Sequence, residues 1–256
     1  MKYLYLLLTL TLFSYRTPMA QHEAFQAGEK IQFTVFYNVI GLYVNAGNAT
    51  FTVDKTKLNS QEVYHVVGEG KTNPRYDWIF KVRDRYESYF HTQTYRPMKF
   101  IRDVNEGDYK KREEVIFDHQ NKKAISAKGS HNIPDKFQDV ISSLYFARNL
   151  NYNAYKPGDM IPFDMYLDGE IHKMYIRYVG KENVKTKYGK FKAIKLKPLT
   201  LKGNVFEGGE KMTIWISDDY NHLPLRIESP LSVGKIKVDL MNHQNIKHPL
   251  TAYAGD

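Results

Sequence analysis

The sequence predicts an all-β domain: a large antiparallel sheet, curved or barrel-like, with one amphipathic helix. Three observations predict it. Apolar residues recur with period two rather than 3.6, as on strands with one buried face. Turn-forming residues interrupt these runs at short intervals. One stretch alone, Asp135 to Leu150, keeps helical spacing.

The elements can be justified in chain order. Ile31, Phe33, Val35 and Tyr37 share one strand face. Ala49 to Asp54 alternates in the same way. Asn105-Glu106-Gly107-Asp108 and Asp118-His119-Gln120-Asn121 bound a strand beginning near Tyr109. In the helical stretch, which follows Pro134, Phe137, Val140, Ile141, Leu144, Tyr145 and Arg148 form one stripe. Asp135 is the expected N-cap there, and Asn149 and Asn151 the expected stop. Asp168-Gly169 is the strongest hairpin signal, because a type I′ turn needs positive φ at both central positions. Tyr188-Gly189-Lys190 and Ser217 to Asn221 mark further turns, and Lys235 to Leu240 alternates cleanly. About a dozen strands result, more than a small sandwich sheet holds, which favours a large curved sheet or a barrel.

Residues 21–256 read as a single β-rich domain, with pseudo-halves 28–128 and 158–242 joined by the helix at 135–150. The halves open alike, on Gly28-Glu29-Lys30-Ile31-Gln32-Phe33 and Gly158-Asp159-Met160-Ile161-Pro162-Phe163. Tyr95-Arg96-Pro97-Met98-Lys99-Phe100 is matched by His222-Leu223-Pro224-Leu225-Arg226-Ile227, each with proline starting a returning strand. A duplicated unit and the common grammar of hairpins both account for this.

Residues 1–20 read as a secretory signal peptide: Lys2, an apolar run from Tyr3 to Phe13, and a cut between Ala20 and Gln21. The run is well short of the roughly 20 residues needed to span a bilayer. The expected destination is the periplasm, with the cell exterior left open. The sequence has no cysteine, which removes disulfides, thiolate metal sites and cysteine nucleophiles. It also removes the cysteine on which a bacterial lipoprotein is acylated.

Residues 1–20 hold only Lys2 and Arg16 among the charged residues, so the rest of the chain keeps a net charge of +7. The charges are interspersed; the densest run, Lys110-Lys111-Arg112, meets Glu113-Glu114 at once. That is a solvated strand face rather than a nucleic-acid footprint, and no nucleic-acid partner is expected.

Several stretches together resemble a known family. They are Gly28-Glu29-Lys30 with Gly41 and Ala46-Gly47; Asp84-Arg85-Tyr86-Glu87-Ser88; Arg96-Pro97 with Phe100; Asp139-Val140-Ile141-Ser142-Ser143-Leu144-Tyr145; Tyr188-Gly189-Lys190-Phe191; Trp215-Ile216-Ser217-Asp218-Asp219; and Leu223-Pro224-Leu225-Arg226-Ile227 with Val233-Gly234. They resemble the exported bacterial proteins catalogued as domain of unknown function 3108. The resemblance implies an extracytoplasmic β domain and no particular activity. The strand–turn–proline–strand pattern ending near Ile227 is also similar, more loosely, to that of periplasmic lipoprotein carriers. That likeness implies a curved, incomplete barrel over an apolar hollow.

Site chemistry is sparse. No histidine pair has helical metal-ligand spacing, and His243 and His248 fall in a stretch that reads as a poorly ordered tail. There is no Gly-x-Ser-x-Gly elbow and no phosphate loop. No catalytic, cofactor or metal residue is therefore assigned. Asp84 with Glu87, Glu113 with Glu114, and Asp218 with Asp219 are the carboxylate pairs a glycan hydrolase would need. Aromatic residues supply the binding candidates: Tyr76, Trp78, Phe137, Tyr145 and Trp215. Trp78 stands before a strand, where packing over the sheet edge is the plainer expectation and lining a groove mouth the functional one.

The function these features favour is a non-enzymatic periplasmic binding or carrier domain for a lipid, a lipidated segment or a glycolipid. The helix would act as lid or plug, and contact with the membrane would be peripheral at most. An envelope assembly factor with a protein partner is the alternative, and an envelope glycan hydrolase comes third. An integral outer-membrane barrel is opposed by the internal helix and the polar end of the chain, Ala252 to Asp256.

Overall fold

The computed structural model describes residues 23–39, 41–202, 208–231 and 234–255. The expected leader, with its cut at Ala20 and Gln21, lies outside the described residues. Among those residues the chain forms fifteen strands and one α-helix.

The chain begins in the middle of its sheet. From β1 (Lys30–Val39), a meander runs outward through β2 (Leu42–Leu58), β3 (Gln61–Thr72), β4 (Arg83–His91), β5 (Pro97–Glu106), β6 (Tyr109–Asp118), β7 (Lys123–Ser126) and β8 (Gly129–Asn132). Residues 133–139 and the helix α1 (Val140–Arg148) then carry it to the opposite edge. A second meander steps back inward: β9 (Met160–Leu167), β10 (Glu170–Lys185), β11 (Lys190–Pro198), β12 (Thr213–Ser217), β13 (Pro224–Pro230) and β14 (Lys235–Gln244). β14 pairs with β1, and β15 (Tyr253–Gly255) adds to β11. The strand pairs are antiparallel throughout, and the outer strands β8 and β9 are not paired, so the sheet does not close.

The expected turns carry the register. Asp168 and Gly169 both have positive φ, 57° and 86°. The two proline-led returns share one device: Tyr95 and His222, each two residues before the proline, sit in the left-handed region at 54° and 41°. β5 and β13 then begin on Pro97 and Pro224, where a missing N–H is tolerated.

The helix is shorter than the sequence pattern predicts. It starts at Val140, and its N-cap is Asp139, not Asp135. The Asp139 carboxylate accepts from Ser142 N at 2.8 Å, and the Ser142 hydroxyl accepts from Asp139 N at 2.8 Å. Ser88 on β4 donates its hydroxyl to the same carboxylate at 2.6 Å, a partner that only the folded sheet supplies. Residues 135–138 are not helical: Asp135 and Lys136 lie in a bend, and Gln138 bridges Met165 in parallel sense, giving β9 a partner along its outer edge.

α1 plugs the curve of the sheet. Phe25, from the segment preceding β1, lies at the centre of the plug, its ring 4.7 Å from Tyr145 and 5.0 Å from Tyr64. The Arg148 guanidinium grips the buried Glu29 through two hydrogen bonds, of 2.5 and 2.8 Å. It also donates to the carbonyls of Ala24 and Asn221. The helix, the segment preceding β1 and the turn at Asn221 are thereby tied at one buried ion pair. The region around His243 and His248 is ordered, against the expectation of a loose tail. Asn221 exchanges hydrogen bonds with the His248 backbone, and Ala252 N donates to Asp219.

Candidate functional site

The two ends of the sheet differ. One, called the tip end here, carries the β1–β2, β3–β4 and β5–β6 connections. The other, the base end, carries the β2–β3, β4–β5 and β6–β7 turns. A cleft of about 520 Å³ opens at the base end, between the β4–β5 turn, residues 135–138 and the last turn of α1.

Its floor is built by local turn chemistry. His91 Nδ1 accepts from Gln93 N and Thr94 N, which shapes the β4–β5 turn. The left-handed Tyr95 sends its ring into the aromatic plug, stacked 6.5 Å from Tyr64. Arg96 follows and lines the cleft. Its Nη2 donates to His119 Nδ1 at 3.0 Å, while His119 Nε2 donates to the Pro97 carbonyl at 2.6 Å. Burial pushes the His119 pKa down, which keeps the imidazole neutral and able to accept. Arg96 Nε is buried with no partner. Asp135, the nearby carboxylate, is drawn to Lys122 at 3.0 Å.

Two further orphans face the same space. The Gln138 backbone is fully used, donating to Asp164 O and accepting from Tyr166 N, both at 2.8 Å. Its side-chain Oε1 is buried without a partner. Asn149, the C-cap of α1, accepts from Ala24 N at 2.9 Å through Oδ1. Its Nδ2 sits by the Tyr95 hydroxyl but makes no well-formed bond. Buried polar atoms are almost always satisfied in folded proteins. Five are orphaned among the described residues, and three of them line this one cleft. Phe137, Phe146 and Leu150 supply its apolar walls.

The aromatic candidates read from the sequence do not converge. Phe137 lines the cleft and packs edge-on to Phe117 at 5.0 Å. Tyr145 is wholly in the plug. Trp215 lies on the other meander, where its indole N–H donates to Glu182 at 2.6 Å and Lys195 stands over the ring. Tyr76 and Trp78 are at the tip end. Trp78 is 83% exposed and packs over no sheet edge, contrary to the plainer expectation. Arg96, Gln138 and Asn149 were beyond sequence reasoning as a set. Arg96-Pro97 is a motif and Asn149 a helix stop, but nothing marks Gln138.

The carboxylate pairs are held in structural contacts. Glu87 meets His65 and Arg85, Glu113 meets Arg102, Glu114 meets Lys99, and Asp218 meets Lys181. Asp219 caps the backbone of Asn221. Asp84 lies instead against Glu106; burial, with the neighbouring carboxylates, holds both above the usual range.

This architecture defines a class: one open, barrel-like antiparallel sheet, plugged by a single helix, with a polar-floored cleft beside the plug. The chain belongs to the family of proteins of unknown function DUF3108, whose model matches residues 32–241. No curated protein matches the chain. Among solved structures it is similar to a β-barrel-like protein of domain of unknown function DUF1849 from Brucella abortus. That likeness has a TM-score of 0.57 at 7% identity and covers 88% of this chain and all of the other. Two further similarities are at 15% identity and 86% of this chain. One is an exported protein with a YmcC-like fold from Bacteroides fragilis, with a TM-score of 0.31 over 99% of that chain. The other is a lipoprotein from Parabacteroides distasonis, with a TM-score of 0.35 over 96% of that chain. The first likeness shows the shared fold; the latter two score too low to support an argument.

Proposed function

We propose that the protein is an exported, non-enzymatic binding domain whose cleft takes the anionic head of an amphipathic ligand, a lipid or glycolipid. The observation that carries the reading is Arg96. It is a partly buried cation with an orphaned Nε, held by a neutral histidine rather than a carboxylate. A guanidinium in such a place favours a phosphate or carboxylate oxygen. Asn149 Nδ2 adds a donor, Lys136 a second positive charge at the rim, and Phe137, Phe146 and Leu150 a surface for an apolar portion. The leader-like N-terminus supports an envelope setting. The plugged interior narrows the carrier idea: the ligand would rest beside the helix, not inside an apolar hollow.

The test is mass spectrometry of organic extracts from the mature protein, purified without detergent from its native envelope fraction. A near-stoichiometric anionic amphiphile is expected from the wild type and its loss from Arg96→Glu, with unchanged circular dichroism. An empty extract from well-folded wild-type protein would sink the reading.

A further inference from the structure

The tip end carries an apolar surface that the cleft does not use. Trp78, Ile79 and Phe80 are 83%, 62% and 44% exposed, three consecutive large apolar side chains in solvent. They are not on a loose loop. Asn73 caps a 3-10 turn, Pro74–Tyr76, by accepting from Arg75 N at 3.1 Å. Ile79 N and Phe80 N both donate to the Tyr76 carbonyl. Thr72 and Arg83 clamp the Asp77 carboxylate, each at 2.6 Å. Lys81 O accepts from Gly107 N at 2.8 Å, fixing the loop to the β5–β6 turn. The loop's backbone is anchored at these points, so the fold itself holds these side chains outward.

A second apolar tip adjoins the first. Asn73 N donates to Ala46 O at 2.8 Å, which sets the β3–β4 loop beside β2. Beyond that contact the β1–β2 hairpin projects further and exposes Leu42, Tyr43 and Val44. The charge around both tips is mainly positive. Arg75 and Lys81 bracket the Trp-Ile-Phe run, and Lys235 and Lys237 lie 5.6 and 4.4 Å from the Tyr43 ring centre. Asp77 is neutralised by Arg83, which leaves Asp108 and the half-buried Glu106, bridged to Val82, as opposing charges on the adjoining β5–β6 hairpin, while Lys237 also reaches Asp239 at 3.8 Å.

From this geometry we infer that the tip end docks on an anionic lipid bilayer, with Trp78, Ile79 and Leu42 entering the interface and Arg75, Lys81, Lys235 and Lys237 meeting the headgroups. Tryptophan and tyrosine favour the interfacial zone. Basic residues near an anionic surface attract it, and anchoring requires such a second signal beside a small apolar insertion. A protein partner would have to cover two separate projecting tips and would gain little from the surrounding lysines. The inference does not depend on the cleft or its ligand.

Vesicle flotation of the mature full chain tests it, with phosphatidylglycerol-containing vesicles against pure phosphatidylcholine. A Trp215→Phe background leaves Trp78 as the fluorescent reporter, since the chain has 2 Trp. Expected are flotation with the anionic vesicles only, a blue shift and quenching by brominated acyl chains. Trp78→Asp with Ile79→Asp should weaken binding about tenfold or more. Arg75→Glu or Lys81→Glu should each weaken it by about fivefold or more, and more at low salt. These side chains are exposed, so unfolding midpoints should stay fixed and serve as the folding control. No flotation of the wild type, or equal flotation of the tip variants, would overturn the inference. So would tip-dependent capture of an envelope protein without vesicle binding, which would make the surface a protein interface.

Discussion

At the residue scale, Asp139 and Arg148 bracket the helix, and both are buried charges with assigned partners. Arg148 is matched by Glu29 and two backbone carbonyls. Asp139 has only neutral donors, and burial outweighs them: its pKa is pushed up to about 6. The usual aspartate value is about 4. Between those values the folded chain keeps a proton that the unfolded chain has released. Stability from this group is therefore whole below about pH 4 and is lost as pH rises through about 6, a change on the order of 3 kcal/mol. Asp139→Asn keeps an acceptor for Ser142 N and removes the titration. Urea unfolding at about pH 4.5 and about pH 7 should then show the gap between wild type and variant changing with pH. A gap that stays constant would mean that Asp139 does not titrate in this range.

At the element scale, α1 fits the sheet because β3 makes room for it. A Cβ on Gly68 would lie 2.8 Å from Phe51 Cε1 and 3.4 Å from Ile141 Cδ1. Gly68→Ala should cost about 1–3 kcal/mol through overpacking, read as a lower unfolding midpoint with the far-UV spectrum unchanged. A neutral outcome would show that the Phe51 ring yields to the added methyl group. The strands were legible because alternation and turn residues are local properties. Asp168-Gly169, Tyr188-Gly189 and the two proline-led returns carry their own backbone requirements. The sequence pattern places the helix start four residues early because Asp135 and Asp139 are equally good caps locally. Ser88, fifty-one positions away, decides between them. The chain after Asn242 reads as loose because few of its residues are apolar; its order comes from Asn221 and Asp219, contacts that no local pattern announces. The cleft was illegible for the same reason. Arg96, Gln138 and Asn149 meet only once β4, the connector and α1 are in place.

At the scale of the whole molecule, two meanders must be held in one curve although β8 and β9 do not pair. The cleft and the apolar tips lie at opposite ends of that curve, separated by the length of β4, about 30 Å at 3.3 Å per residue. A chain resting on a bilayer by its tips would present the cleft away from the surface, toward a soluble partner or a second membrane. What holds the curve is a seam rather than a ladder. Residues 133–138 fill part of the gap, with Ile133 N donating to Lys122 O and Gln138 bridging β9. The β9–β10 turn closes the rest: Asp168 pairs with Arg102 on β5 and Lys111 on β6. Burial pushes the Asp168 pKa up, but the two cations outweigh it and hold it below the usual range. That contribution is present above about pH 4 and fades as pH falls through the lowered value. Asp168→Asn keeps a residue that tolerates positive φ and removes only the charge. The global loss should be small, about 1 kcal/mol, because Asp168 is half exposed. The local effect should be larger. Hydrogen exchange should speed up in β9, the β9–β10 turn and residues 133–138 while β1 to β3 keep their protection. Unchanged exchange at that edge would place the latch elsewhere, in the packing of Phe117 against Tyr166 across the same gap, 5.2 Å between ring centres.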